Sequence, residues 1–366
     1  MIGIDDIARR VVELDAAQSE ACGKLRAAGR PNKLDFLEGS LLFGVGKKAF
    51  SGRVAAVDGG LTAGEFHAFC LVVSRAVGVS FDYADGKIVK AERVPVVSQP
   101  QAFAECGLEG GEFELFKTLV RLELEVARAR EVVEKFKPNL LLLDGTILPL
   151  PQDKPAKDSP LYQKYFALVE SYKSLFAACL ENNCVLAGVV KDSNSRHFLK
   201  TVSTWDSVQE KKLADAISKT NDSAFLHLLL NEGERTAAFA FSENENPRLR
   251  DFGNIGATVC GMYLKPAKYD RPLRVDFLLP AAAAGIDAGD GGKEMGENAF
   301  VKRLAEVLNF LSLGHRAYAY PAVLVEADLR AALDPKELDF ASREVLAKVG
   351  RSAPFMQLRR NTRPFR

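Results

Sequence analysis

Three aspartates each follow a short apolar segment that we predict to be a β-strand. Asp58 ends the segment VAAVD, Asp144 ends LLLLD, and Asp192 comes two residues after VLAGVV. The carboxyl ends of the strands in an open α/β sheet form the edge at which such sheets bind their ligands. We therefore expect the three carboxylates to lie along one edge of a sheet.

A predicted helix between the first two strands supplies a fourth acidic residue. Residues 112–135 carry apolar side chains at helical spacing, and Arg121 and Glu125 share one face of this helix. Because the apolar stripe holds the helix against the sheet, Glu125 is able to reach the same edge.

This acidic grouping favours the chemistry of divalent metals. Carboxylates brought together repel one another unless a cation compensates, and hard oxygen ligands suit Mg²⁺ or Mn²⁺. Two such ions about 4 Å apart activate a water molecule and stabilise the leaving oxygen of a phosphodiester. Gly59 and Gly60 leave room for a phosphate backbone beside Asp58. The pattern indicates a nuclease, whereas the structural alternative is that each Asp-Gly pair is a plain turn.

The elements that must position these residues alternate between strands and helices. The length of 366 residues suggests two domains, or one large domain with insertions. The apolar run at 140–143 is typical of a strand buried on both faces, so we predict an α/β fold. We predict helices over residues 5–25, 112–135, 161–182, 205–218, 297–313 and 322–333, and strands over 41–44, 53–58, 69–83, 87–97, 140–143, 184–190, 236–241, 258–263 and 273–279.

Composition and charge exclude several classes of protein. The formal net charge is +1, so a nucleic-acid surface must be a local patch if the chain has one. The apolar runs are far shorter than the roughly 20 residues that span a bilayer. Six cysteines without a CxxC pair indicate neither a zinc knuckle nor a disulfide framework. We therefore expect a soluble cytoplasmic protein with no membrane partner.

Five short motifs, taken in their order and spacing, resemble the NurA family of prokaryotic nucleases that resect DNA ends. The resemblance covers residues from about 54 to 333. The motifs are VDGG (57–60), RLELE (121–125), LLLLDGT (140–146), AGVVKDS (187–193) and YPAVLVEAD (320–328).

This resemblance implies an RNase H-like mixed sheet flanked by helices, with β-rich and helical insertions. It also implies a homodimeric deoxyribonuclease that uses Mn²⁺ or Mg²⁺, as two ions. Its activity is expected to be 5′–3′ exonuclease with single-strand endonuclease activity in double-strand-break end resection, together with a HerA-type hexameric ATPase. We divide the chain into an N-terminal segment (1–50) for dimer or channel contacts, a NurA domain (51–333) with an insertion at about 200–295, and a C-terminal helix with a basic tail (334–366).

The resemblance also assigns roles to individual residues. Asp58, Glu125 and Asp144 match the family's acidic metal ligands, with Glu123 as the alternative to Glu125. Tyr320 matches the tyrosine of the last motif. Asp328 occupies the position where the family commonly has histidine, and an aspartate there can still serve as a ligand for a hard metal ion.

Basic residues near these motifs are candidates for contact with DNA. Lys191 follows a predicted strand and is suited to neutralise a phosphate or orient the attacking water. Arg196 and His197 come shortly after it. Arg359 and Arg360 lie in a C-terminal segment that contains no acidic residue. Its arginines are suited to grip phosphates, and the alternatives are that the segment docks on the HerA-type translocase or is a mobile, solvated tail.

Two other classes of function fit parts of the pattern. An actin-like or sugar-kinase-like ATPase has Asp-Gly phosphate loops similar to VDGG, but the chain offers only a poor match, at 290–292, to the later Gly-Gly adenosine motif. A non-catalytic scaffold of the resection complex is the other alternative, because Asp328 departs from the family pattern.

Overall fold

The computed structural model describes residues 3–28, 36–206, 210–241, 247–279, 297–315, 317–350 and 358. These residues form the mixed α/β architecture expected from the sequence. The helices are α1 (Ile4–Ala28), α2 (Glu112–Phe136), α3 (Tyr162–Glu181), α4 (His197–Val202), α5 (Lys211–Ser218), α6 (Asp222–Leu229), α7 (Glu297–Leu311), α8 (Ala322–Ala331) and α9 (Pro335–Val349). The strands are β1 (Leu42–Gly44), β2 (Gly52–Glu65), β3 (Cys70–Ala84), β4 (Lys87–Val94), β5 (Gln101–Glu105), β6 (Leu140–Asp144), β7 (Val185–Val190), β8 (Glu234–Thr236), β9 (Phe239–Ala240), β10 (Val259–Lys265) and β11 (Leu273–Leu278).

The chain divides into two compact units, and each is assembled from two separate segments. The first unit comprises Met1–Phe50 and Ala187–Ala322. The second comprises Ser51–Leu186 and Val323–Arg366. The second unit contains all four carboxylates expected at the metal site.

The second unit contains a mixed sheet in the strand order β6-β2-β3-β4. Strands β2 and β6 run parallel, whereas β3 pairs antiparallel with β2, β4 and β5. The first four residues of β6 are buried, as expected for an apolar strand covered on both faces. The mixed sheet predicted from the sequence is confirmed.

Helix α2 packs on this sheet, and α3 packs on α2. The side of α2 that faces the sheet is mostly apolar because apolar residues recur every three or four positions. Its buried apolar residues are Phe116, Leu119, Val120, Val126, Ala129, Val132, Val133 and Phe136. One acidic side chain, Glu125, is buried among them.

Strand β2 is longer than its sequence predicts, and the difference changes the position of Asp58. Its parallel pairing with β6 ends at Val57 opposite Leu143, but its antiparallel pairing with β3 continues to Glu65. Asp58 therefore lies inside a strand, and the prediction that it ends one was wrong. The two glycines that follow it continue the strand and do not form a turn.

The first unit contains an antiparallel set of strands in the order β1-β8-β10-β11-β7, with β9 also paired to β10. The C-terminal half of α1 packs against α5 and α6. Glu38 and Arg235 form an ion pair in this unit, with each side chain only 2% exposed. The helix predicted over 205–218 begins at Lys211 in the described part of the chain. No helix among the described residues is long and apolar enough to cross a membrane.

Candidate metal centre

Three aspartates of the second unit come together at the end of the parallel β2–β6 pair. Asp58, Asp144 and Asp328 each offer a carboxylate oxygen, and these atoms all lie within 4.8 Å of one another. Asp58 is buried, Asp144 is half-buried and Asp328 is exposed. The cluster is therefore fixed at its inner end and open to solvent at its outer end.

The register of the sheet explains why Asp58 and Asp144 are neighbours. Val57 lies opposite Leu143 in the parallel ladder, so the next residue on each strand projects from the same edge. Gly145 then takes a φ of 111°, which favours glycine and turns the chain away directly after Asp144. The Gly59 N–H donates to Oδ1 of Asp58 at 2.7 Å and fixes that carboxylate.

Asp328 is brought to the cluster by α8, whose C-terminal end is held against β2 and β3. The Arg75 guanidinium donates to the carbonyl oxygens of Ala331, at 3.2 Å, and Ala332. Gly60 packs so closely beneath this end that a Cβ on it would overlap the Ala331 carbonyl. The helix position, and with it that of Asp328, depends on both contacts.

Glu125 lies beside the three aspartates but does not belong to the group whose carboxylate oxygens lie within 4.8 Å of one another. Its Oε1 accepts a hydrogen bond from Nη1 of Arg121 at 2.7 Å. A Cβ on Gly59 would lie 2.6 Å from the same oxygen, so glycine provides the space that this carboxylate fills. Glu123, by contrast, is exposed and pairs with Lys164 at 2.8 Å.

The electrostatics of the cluster oppose full ionisation in the absence of a cation. Burial, followed by the charges of Asp144 and Glu125, raises the pKa of Asp58 to about 8. Burial raises the pKa of Glu125 to about 7, although the neighbouring Arg121 opposes this shift. Asp58 and Asp328 are also within hydrogen-bonding reach of each other, as expected when a proton takes the place of a cation between two carboxylates.

These properties fit a hard divalent cation. The donor set consists of carboxylate oxygens, which Mg²⁺ and Mn²⁺ prefer. Asp58, Asp144 and Asp328 are placed to hold it, and Glu125 is placed to complete its charge balance. Buried carboxylates without a compensating charge are costly, so a bound cation would also stabilise the fold.

The structure describes Lys191 and Tyr320 in the first unit, where they contact each other. Nζ of Lys191 lies 4.4 Å from the centroid of the Tyr320 ring. The Tyr320 hydroxyl donates to the carbonyl oxygen of Val189 at 3.0 Å. Asp192, which we considered as a further acid at the sheet edge, is exposed and forms an ion pair with Arg271 at 3.4 Å.

The proposed DNA contacts lie partly within the described residues. Arg196 donates to the carbonyl oxygen of Ile217 at 3.1 Å, and the His197 ring packs 4.6 Å from that of Phe239. Arg359 and Arg360 lie outside the described residues. The DNA contacts assigned to all four residues remain predictions.

Sequence reasoning did not identify Arg75 or the packing role of Gly60. Both act on the end of α8, more than 250 residues later in the chain, so no local pattern links them to Asp328. The one available signal was the pair of consecutive glycines, which we interpreted as space for a phosphate. The structure fills that space with Glu125 and with the end of α8.

The chain was compared with known protein families and structures. A family model described as the NurA domain matches residues 52–333. No curated protein sequence matches the chain.

Solved structures described as NurA share its fold. The NurA nuclease from Sulfolobus solfataricus is similar with a TM-score of 0.57 and 14% identity, over 95% of each chain. A NurA bound to dAMP and manganese is similar with a TM-score of 0.54 and 10% identity, over 96% of this chain and 98% of that one.

We predict that Gly60→Ala weakens metal binding by about 10- to 100-fold, the range typical of groups that support metal ligands. The added methyl group would displace the end of α8 and with it Asp328. Isothermal titration with Mn²⁺ measures the effect. Gly64→Ala, on the same strand, is the control because a Cβ there would meet Leu338 at an ordinary 3.5 Å. Equal affinities for the two variants would contradict this account.

We also predict that the metal-free protein loses stability as the pH rises from about 4 to about 8. In this range the unfolded chain releases the protons of Asp58 and Glu125, whereas the folded chain retains them because their pKa values are raised. Urea unfolding in EDTA across this range measures the slope. Asp58→Asn is expected to reduce the slope of stability against pH. An unchanged slope in that variant would show that Asp58 does not contribute to the loss of stability.

Proposed function

The chain belongs to the NurA family, since the family's domain model covers residues 52–333, and we propose that it is a metal-dependent deoxyribonuclease. The observation that carries this proposal is the convergence of Asp58, Asp144 and Asp328 within 4.8 Å. The likeness to a structure of NurA with dAMP and manganese supports both the substrate class and the metal.

In this proposal each acidic residue has a separate task. Divalent cations, as one or two ions, would supply an activated water and stabilise the leaving oxygen of a phosphodiester. Asp58 fixes the inner ligand position because it is buried and held by the Gly59 N–H. Asp144 and Asp328 form the half-buried and exposed sides of the site, and Glu125 adds negative charge from α2.

We propose that Lys191 and Tyr320 position the phosphate or the attacking water. The Tyr320 hydroxyl is engaged by Val189, so its ring is fixed in orientation. The ring in turn supports the Lys191 ammonium group through a cation–π contact. Tyr320 thus acts on the reaction through Lys191 in this proposal.

The biological setting is proposed from family membership. We propose 5′–3′ exonuclease and single-strand endonuclease activities in double-strand-break end resection, with a HerA-type hexameric ATPase as partner. Six free cysteines, five of them buried, suit a reducing cytoplasm. Arg196, His197, Arg359 and Arg360 remain the proposed auxiliary contacts with DNA.

A second copy of the chain is proposed to pair with the N-terminal half of α1. The apolar positions of this helix recur at spacings of three and four residues, and the stripe that is buried at Ala21 and Leu25 continues outward. There Ile7 is 51% and Val11 is 59% exposed. The first turn is acidic and the next is basic, and Arg9 pairs with Asp6 at 2.6 Å within the helix, so the proposed contact rests on the apolar stripe.

The two alternative functions gain little from the structure. An ATPase of the actin or sugar-kinase type would use VDGG as a phosphate loop, but Gly59 and Gly60 lie inside β2 and are packed against Glu125 and α8. A scaffold would retain a buried acidic cluster that lowers stability when no cation is bound. A nuclease accounts both for glycines that make room around the acidic residues and for the acidic cluster itself.

We predict that the protein cleaves an end-labelled single-stranded oligonucleotide with Mn²⁺ and not with EDTA. Asp58→Asn and Asp144→Asn are expected to lose about 100-fold or more in rate, because removing a metal ligand costs several kcal/mol of transition-state stabilisation. Glu125→Gln should lose activity as well, whereas Glu123→Gln, on the exposed side of the same helix, should retain it. Comparing 5′-blocked and 3′-blocked oligonucleotides tests the polarity.

Two outcomes of this experiment would contradict the proposal. If the wild-type protein forms no product with any metal ion, the chain is not an autonomous nuclease. If Asp58→Asn cleaves as fast as the wild type, the acidic cluster is not the active site.

We predict that Val11→Glu converts the homodimer into a monomer of 40.0 kDa, because the substitution places a charge in the shared apolar stripe. Sedimentation equilibrium measures the mass. Val97→Glu is the control, since Val97 is 73% exposed in the second unit and lies outside α1. A dimer that survives Val11→Glu would exclude the helix as the contact.

A further inference from the structure

Arg121 is a positively charged residue of the second unit that lies beside the acidic cluster. Arg121 lies one helical turn before Glu125 on α2 and donates to its carboxylate at 2.7 Å. The negative charge of Glu125 raises the pKa of Arg121 above its ordinary value; burial opposes this shift, and the charge of Asp58 adds to it. The guanidinium is therefore within electrostatic reach of the acidic cluster itself.

The hydrogen bonds of Arg121 leave most of its donors unused. A guanidinium carries five N–H donors, and among the described residues Arg121 uses one of them, for Glu125. Arg53, a structural arginine of the same unit, makes two bonds to Asp82 and one to the carbonyl of Phe136. Arg121 thus differs from a residue whose role is to fasten backbone and side chains together.

The exposed fractions of Arg121 and Glu125 also suit a residue that binds a ligand. The side chain of Glu125 is 11% exposed, but that of Arg121 is 32% exposed. The carboxylate is thus turned inward, toward the aspartates, while about a third of the Arg121 side chain remains open to solvent. This exposure leaves Arg121 accessible to a ligand that approaches from solvent.

We propose that Arg121 is a substrate-binding residue that holds a non-bridging phosphate oxygen of the DNA strand at the acidic cluster. This inference rests on the proposed nuclease function and assigns a further phosphate contact of the same site, beside the one proposed for Lys191. A strand that enters the site passes carboxylates that bound cations shield only in part, and Arg121 is a fixed positive charge beside them. A planar guanidinium is suited to this task because its parallel donors match two phosphate oxygens.

Direct DNA binding tests the inference separately from catalysis. The parent protein is Asp58→Asn, which is expected not to cleave, and the probe is a fluorescein-labelled single-stranded oligonucleotide followed by anisotropy. In this background Arg121→Gln should weaken binding about 10- to 100-fold, as expected for the loss of a charge-assisted hydrogen bond. The slope of log affinity against log salt should fall by about 0.7, the value for one phosphate contact.

Two further variants separate phosphate binding from a structural role. Arg121→Lys keeps the charge beside Glu125 and loses the paired donors, so Mn²⁺ affinity and thermal stability should stay near those of the parent while DNA binding weakens about 10-fold. Arg130→Gln is the matched control: Arg130 pairs with Glu134 at the same spacing on the same helix, and both side chains are 53% exposed.

The outcomes distinguish this inference from the proposed function. If wild-type protein cleaves DNA but Arg121→Lys and Arg121→Gln bind the oligonucleotide like the parent, Arg121 is only a counter-ion and the inference is wrong. If Arg121→Gln does not fold, unchanged binding by Arg121→Lys still overturns it. If the wild-type protein cleaves no DNA with any metal, the proposed function itself fails.

Discussion

The repulsion among carboxylates gathered in a partly buried site is the constraint on which the rest of the second unit depends. Asp58 and Glu125 are both held where burial disfavours their charged forms. Two hydrogen bonds reduce this cost. The Gly59 N–H donates to the Asp58 carboxylate, and the Arg121 guanidinium donates to the Glu125 carboxylate. These hydrogen bonds offset only part of the repulsion, because the pKa values of Asp58 and Glu125 remain raised. A cation that relieves this repulsion therefore stabilises the folded unit when it binds.

Rigid apolar packing maintains this strained arrangement. The sheet-facing side of α2 is apolar before and after Glu125, so the helix cannot turn that carboxylate toward solvent without exposing its own core residues. The end of α8 is fixed by Arg75 and by the absence of a side chain at Gly60. Extensive apolar packing thus stabilises the unit, while a few small or polar residues determine where the carboxylates are placed.

The sequence predicted those parts of the fold that depend on local periodicity. Helix α2 and strand β6 have strong patterns, and their bounds agree with the predictions to within about one residue. The placement of Asp58 failed because Asp-Gly-Gly is typical of a turn, whereas here the glycines relieve contacts with residues far along the chain. Strand β5 and helix α6 were missed because both are short, and their pairing and burial depend on tertiary contacts. The acidic grouping was predictable, but the residues that support it were not.

Asp328 stands at the position where the sequence resemblance leads us to expect histidine, and it is the exposed member of the cluster. Asp58 is buried inside a strand, where the Gly59 N–H fixes its carboxylate. Asp328 is exposed on α8, so an imidazole there would meet solvent on its outer side and would not disturb the core. Exchange between histidine and aspartate at this position changes the charge and the hardness of the site more than its shape. The buried side of the cluster is therefore fixed by its neighbours, whereas its open side meets solvent.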